Sequence, residues 1–168
     1  RVISNELISK SEEGLPEKGF VFCSFNSNYK ISSTEFDIWM RLLSKIDGSV
    51  LWLLKSNKWA EINLKKEAEK RGLDGNRLIF AQKVPQSYHL ARHCLADLFL
   101  DTFKCNAHTT ASDALWAGLP LVTKMGKGFP SRVAGSLLNA IGLSELITQT
   151  VEDYEKLALD LANDSNHL

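Results

Sequence analysis

The feature that most constrains this chain is a repeated exchange between short apolar runs and helix-periodic segments. Phe20-Val21-Phe22-Cys23-Ser24-Phe25 leads through a polar loop to Phe36, Trp39, Met40, Leu43 and Ile46 at helical spacing. Ser33 or Thr34 would cap that helix and Asp47-Gly48 would stop it. Val50-Leu51-Trp52-Leu53-Leu54 shows no alternation, as expected of a strand covered on both faces. The pattern then predicts a helix over 59–71 closed at Gly72, a strand over 78–81 and a short helix over 86–93 after Pro85. A strand over 98–100, a helix over 109–117 ended by Gly118 and a strand over 119–123 follow. A glycine-rich loop from Met125 to Gly128, a helix near 130–141, a short strand over 145–148 and a helix from about Val151 complete the series. Such alternation predicts an α/β fold, a three-layer α/β/α Rossmann-like domain with a mainly parallel sheet. Ligands of these sheets bind beyond the carboxyl ends of the strands, which directs attention to loops 26–33, 82–89, 101–109 and 124–130.

The length of 168 residues suits one domain, read here as 16–168, with 1–15 as a linker or N-terminal extension. Twenty Lys and Arg balance 20 Asp and Glu, so no global field favours nucleic acid or an anionic membrane. Cys23, Cys94 and Cys105 lack CxxC spacing, and free thiols fit a reducing compartment. Cys23 and Cys94 sit in apolar contexts and read as buried packing, as do Trp39, Trp52 and Trp116. No apolar run approaches the roughly 20 residues of a membrane span, and the first ten residues lack a signal-peptide pattern. The expected location is the cytoplasm. The chain opens without methionine, as an excised piece of a longer protein would.

The chemistry concentrates between Leu98 and Pro120. There an apolar strand enters a polar loop that ends in His108-Thr109-Thr110 at the first turn of a helix. An imidazole, two hydroxyls and free amides at the positive end of a helix suit an anion. Thr110-x-x-Asp113 equally resembles a capping box, so Asp113 is either a helix cap or a ligand for a sugar hydroxyl. Cys105 and His108 lie three apart, which leaves open a nucleophilic pair or part of a metal site, although no further ligands have metal spacing. Lys30, just past the first strand, can reach a phosphate as a point charge or simply face solvent. His89 and Arg92 share a helix face, where they would clamp a planar base or form a solvated surface around a half-buried histidine. No GxGxxG or P-loop occurs.

The segments FCSFNSNYKIS, SVLWLLKS, NRLIFAQKVPQSYHLAR, LADLFLDTFKCNAHTTASDALWAGLPLVT and SRVAGSLLNAIGLSELI, in this order, resemble the catalytic region of O-linked N-acetylglucosamine transferases, glycosyltransferase family 41. The resemblance runs from about Gly14 to the C-terminus and implies the C-terminal, donor-binding half of a GT-B glycosyltransferase. The implied reaction is metal-independent, inverting transfer of N-acetylglucosamine from UDP-GlcNAc to Ser or Thr hydroxyls of proteins, with no cofactor. Lys30 would contact the diphosphate and stabilise the leaving UDP; His108, Thr109 and Thr110 would seat the diphosphate, and Asp113 the ribose. His89 and Arg92 would hold the uracil, with Lys83 and Val84 reading its edge; Ser27, Gln86 and Cys105 complete the donor-binding set. Ser27 stands where animal members have glutamine, Gln86 replaces a nucleotide-holding lysine, and Ala107 replaces a glycine; these departures bear on the choice of donor sugar. Protein acceptors would be selected by an N-terminal catalytic half and tetratricopeptide repeats outside this chain, and the isolated piece should be inactive. The alternatives are another GT-B enzyme with a different nucleotide sugar, and a non-catalytic nucleotide-sugar-binding module.

Overall fold

The computed structural model describes residues 1–164. Six strands form one sheet: β1 (Val21–Ser24), β2 (Val50–Leu54), β3 (Leu78–Ala81), β4 (Leu98–Leu100), β5 (Leu121–Lys124) and β6 (Ile147–Thr148). Their spatial order is β3-β2-β1-β4-β5-β6, and every neighbouring pair is parallel. The predicted Rossmann-like architecture is therefore the observed one. β1 pairs in register with β2 from Val21 against Val50, and with β4 from Phe22 against Leu98. The order reverses between β1 and β4, so crossovers leave in opposite directions and open a crevice at that point.

Among the described residues six α-helices cover the sheet: α1 (Ser33–Lys45), α2 (Lys58–Lys70), α3 (Gln86–Arg92), α4 (Thr109–Trp116), α5 (Val133–Ala140) and α6 (Val151–Asn163). α1 begins at a capping box, but on Ser32 rather than Ser33 or Thr34: Glu35 accepts from the Ser32 amide at 2.9 Å. β5 starts at Leu121 and β6 is trimmed to two residues, because a 3₁₀ turn takes up Ser144–Leu146. α5 likewise starts later than expected, after a 3₁₀ turn at Phe129–Ser131. α6 starts at Val151, as expected.

The strands are buried on both faces, and Phe22, Trp39, Trp52, Phe99 and Tyr154 form the heart of the core. Two packing expectations fail. Trp116 is 60% exposed, since Ala111 and Ala114 hold the buried face of α4 and a residue two positions beyond points the other way. Cys94 is also exposed, because the tight turn at His93–Leu95 buries His93 instead. Cys23 is buried as expected. The N-terminal segment is tied to the domain at two points: the Ser4 amide donates to the Ser87 carbonyl on α3 at 3.1 Å, and Leu15 enters the core.

One buried polar chain ties the layers together. Trp39 Nε1 on α1 donates to the Tyr154 hydroxyl on α6 at 3.1 Å, and that hydroxyl donates to the Asp101 carbonyl at 2.9 Å. Tyr154→Phe strands both partners in a dry interior, so stability should fall by about 2–3 kcal/mol. Calorimetric unfolding should show Tm lower by roughly 5–10 °C; an unchanged Tm would show that the chain contributes nothing.

Candidate functional site

The predicted residues lie on three loops, after β1, β3 and β4, at the carboxyl ends of the strands. The first, after β1, runs through a 3₁₀ turn at Asn28–Lys30, which leaves Ser27 exposed and Lys30 half-buried. Asn26 fastens this loop to the one after β4 by donating from Nδ2 to Thr102 Oγ1 at 2.6 Å.

The loop after β4 is built around Asp101. Its Oδ1 accepts from the amides of Thr102 (2.9 Å) and Ala107 (2.7 Å), and its Oδ2 accepts from Thr123 Oγ1 (2.7 Å). Asn106 closes the loop, donating from Nδ2 to the Thr102 carbonyl and from its amide to the Pro130 carbonyl. Asp101 is fully buried. Burial pushes its carboxyl up to about 7, against the three hydrogen bonds and the Lys30 charge, which hold it down. None of this was read from the sequence; the available signal was an acid directly after an apolar strand, at a carboxyl end where ligands bind.

The loop delivers His108 to the cap of α4. The first amides of a helix have no intrahelical partner, and here two side-chain atoms beside them are also without one. His108 Nε2 and Thr110 Oγ1 are buried and make no hydrogen bond. The capping-box reading does not hold: no side chain caps α4, and Asp113 instead accepts from Gln86 Nε2 at 3.0 Å while its other oxygen lies 3.3 Å from Arg1. Nor is there a Cys–His pair. Cys105 Sγ faces the Asn106 carbonyl at 3.8 Å, and His108 makes an edge-on ring contact with Phe129 at 6.4 Å. Among the described residues, no three His, Cys, Asp or Glu side chains gather as a metal site would require.

The third loop, after β3, leaves Lys83 exposed and Val84 half-buried. Lys83 and Ser27 line a cleft of about 710 Å³ beyond β1, β2 and β3. His89 and Arg92 are adjacent on α3 as predicted, with Arg92 Nε donating to His89 Nδ1 at 3.0 Å. The surface is not a solvated one, since Arg92 is 1% exposed, behind His89. Burial, and then the neighbouring His93 and Arg92, push His89 down to about 3. The Gln86–Asp113 bond joins the α3 group to the α4 group, and Ser27 and Lys83 line the neighbouring cleft.

A parallel sheet with reversed strand order and a polar crevice at the reversal defines a Rossmann-like α/β domain. The chain belongs to glycosyl transferase family 41, whose description matches residues 2–168. It is 40% identical over 162 residues to the UDP-N-acetylglucosamine--peptide N-acetylglucosaminyltransferase of Caenorhabditis elegans, covering 96% of this chain and 14% of that protein. A probable enzyme of the same name from Arabidopsis thaliana is 38% identical over 159 residues, covering 94% of this chain and 16% of its own length. The chain thus spans only about a seventh of the curated relatives it matches. A solved mutant O-GlcNAc transferase of Thermobaculum terrenum superimposes with a TM-score of 0.85 at 32% identity, over 89% of this chain and 29% of that one. A putative UDP-N-acetylglucosamine 2-epimerase from Listeria monocytogenes (TM-score 0.60, 12% identity, 97% of this chain and 41% of that one) shares the fold. No helix among the described residues is long and apolar enough to cross a membrane.

Asp101→Ala removes the acceptor of two buried amides and a hydroxyl, and should cost about 3–5 kcal/mol. Faster amide exchange at Ala107 would report the loosened loop. Raised above its ordinary 3.8 when folded, Asp101 gives the native state the extra proton between that value and about 7. Its contribution to stability therefore falls as pH rises through that window and is flat above it. Asp101→Asn should flatten this part of the Tm profile between pH 4 and 7; an identical slope in both proteins would contradict the assignment.

Proposed function

We propose that this domain binds the donor of an inverting, metal-independent transferase that moves N-acetylglucosamine from UDP-GlcNAc to Ser or Thr hydroxyls of proteins. The observation that carries the reading is the unpartnered pair His108 Nε2 and Thr110 Oγ1, buried at the start of α4 where the strand order reverses. Buried polar atoms without partners are costly. A diphosphate placed there would accept from the Thr110 hydroxyl, from His108 and from the amides that open α4.

Lys30 acts from the other side of the crevice. It closes the short turn after β1, in the loop that Asn26 ties to the loop organised by Asp101. When the acceptor hydroxyl attacks the anomeric carbon, the bond to the diphosphate oxygen breaks and negative charge grows on the departing UDP. A fixed ammonium and a helix N-terminus stabilise that charge more than they stabilise the bound donor, which lowers the barrier. They supply the electrophilic help that a divalent ion would otherwise give.

Asp113 suits a ribose hydroxyl, because Gln86 occupies Oδ2 and leaves Oδ1 with only the Arg1 ion pair. His89 faces the base, with Lys83 and Val84 at its edge and Ser27 and Cys105 at the margins of the seat. The names of the relatives support the donor and the acceptor class. In a protein of the relatives' length, the remaining chain would supply the acceptor side and select protein partners. A cytoplasmic location fits the free thiols.

In a full-length protein carrying this domain, Lys30→Ala should lower turnover by at least about 10²-fold with the fold intact. Turnover near that of the unmodified enzyme would rule out the leaving-group role.

A further inference from the structure

The loops that follow β4 and β5 gather positive charge that the fold does not neutralise. Residues 102–112 and 122–144 contain no Asp or Glu, in a chain whose acids and bases balance at 20 each. The same stretches carry Lys104, Lys124, Lys127 and Arg132. Among the described residues, none of these cations pairs with an acidic side chain. Lys124 lies over the Phe103 ring at 5.3 Å and Arg132 donates to the Gly126 carbonyl at 3.0 Å, while Lys104 and Lys127 are exposed.

The two loops are packed as one unit. The Asn106 amide donates to the Pro130 carbonyl at 2.7 Å, and the Met125 amide to the Thr148 carbonyl at 2.8 Å. Ser131 folds back on its own loop: its hydroxyl donates to the Gly128 carbonyl at 2.8 Å, and its carbonyl accepts from the Gly126 amide at 2.9 Å. The approach is so close that a Cβ on Gly126 would stand 2.5 Å from that of Ser131. Although fixed at this many points, the loop holds Phe129 78% exposed. The ring stands edge-on to His108 at 6.4 Å and, with Arg132, Val133 and Leu137, walls an apolar notch of about 220 Å³. An aromatic ring beside a notch of side-chain size, rimmed by cations, has the make-up of a protein-docking surface, with an apolar centre and a polar rim.

We propose that this ledge docks an acidic segment of a protein partner, which inserts one apolar side chain into the notch beside Phe129. On the donor-domain reading above, on which this step rests, the partner is the acceptor protein, and the ledge favours Ser or Thr hydroxyls flanked by Asp or Glu. Contact with His108 sets the ledge next to the diphosphate seat, where the attacking hydroxyl arrives. The cations choose the partner and the notch fixes its register. A nucleic acid fits less well, since the chain has no net charge and a single ring offers no platform for successive bases.

The test titrates the ¹⁵N-labelled chain with peptides of one length: one rich in Asp and Glu with a Leu beside a central Ser, one with that Leu replaced by Ser, and one with every acid replaced by Lys. The first should bind saturably at millimolar concentration, shift the amides of 124–133, and weaken as salt rises. Equal binding of the Lys peptide, shifts confined to other regions, or tighter binding of a single-stranded oligonucleotide of equal charge would overturn the proposal. Lys104→Glu combined with Lys127→Glu should weaken the acidic peptide by at least about fivefold; an unchanged affinity would refute the role of the cations. Phe129→Ser should abolish the preference for the Leu-containing peptide, and a preserved preference would refute the notch. In a full-length protein carrying this domain, the lysine double variant should raise KM for the acidic acceptor peptide by a similar factor with kcat unchanged; an unchanged KM would separate the ledge from the acceptor. UDP titration of the same variants should match the unmodified chain. A chain that binds the acidic peptide but not UDP keeps the ledge and loses the donor reading, and one that binds UDP but not the peptide does the reverse.

Discussion

The arrangement of the site depends on the buried carboxylate of Asp101. Placed at the end of β4, it holds the amides of Thr102 and Ala107 and the hydroxyl of Thr123, while its own carbonyl receives the Tyr154 hydroxyl. One residue thereby links β4, the loop that follows it, β5, and the α1–α6 pair through Trp39. A carboxyl in a dry interior is tolerable only when its oxygens are occupied. The loop is thus held in the one shape that occupies them, and that shape sets His108 and Thr110 at the start of α4. The placement of His108 and Thr110 is a consequence of satisfying a buried acid.

The same logic recurs in α3. Arg92 cannot stay buried without Glu13, and a guanidinium anchored there presents a single N–H to His89. Two polar devices, one acidic and one basic, therefore prepare the two ends of the crevice. They leave the groups that would face a ligand without competing partners. Gln86 and Asp113 bridge the two ends. Preorganisation of this kind matters most where charge develops during reaction, because no further reorganisation is needed at that moment.

Much of the fold was legible in the chain because strands buried on both faces are continuous apolar runs, unlike the helices between them. The reversal of strand order could be inferred only through the resemblance and the α/β class. Short elements misled: Trp116 closes an eight-residue helix, too brief for periodicity to mark its buried face, and Cys94 falls in a turn that has no period. Thr110-x-x-Asp113 fits a cap and a ligand site equally well by spacing, and only the uncapped start of α4 in the structure removes the cap. Glu13 and Asp101 act through partners that are distant in sequence or are backbone amides, which leave no mark in a residue pattern. The groups that would touch a ligand were thus more visible than those that hold them in place.

In the proposed function, the crevice at the β1/β4 reversal seats a nucleoside diphosphate on His108, Thr110 and the start of α4. Calorimetric titration of this chain with UDP tests it most directly. Saturable heat at millimolar ligand, weakened by about tenfold or more in His108→Ala, is the predicted result, since each lost tenfold is about 1.4 kcal/mol. Folded protein that releases no heat at these concentrations, or a His108→Ala protein that binds as tightly as the unmodified chain, would contradict it.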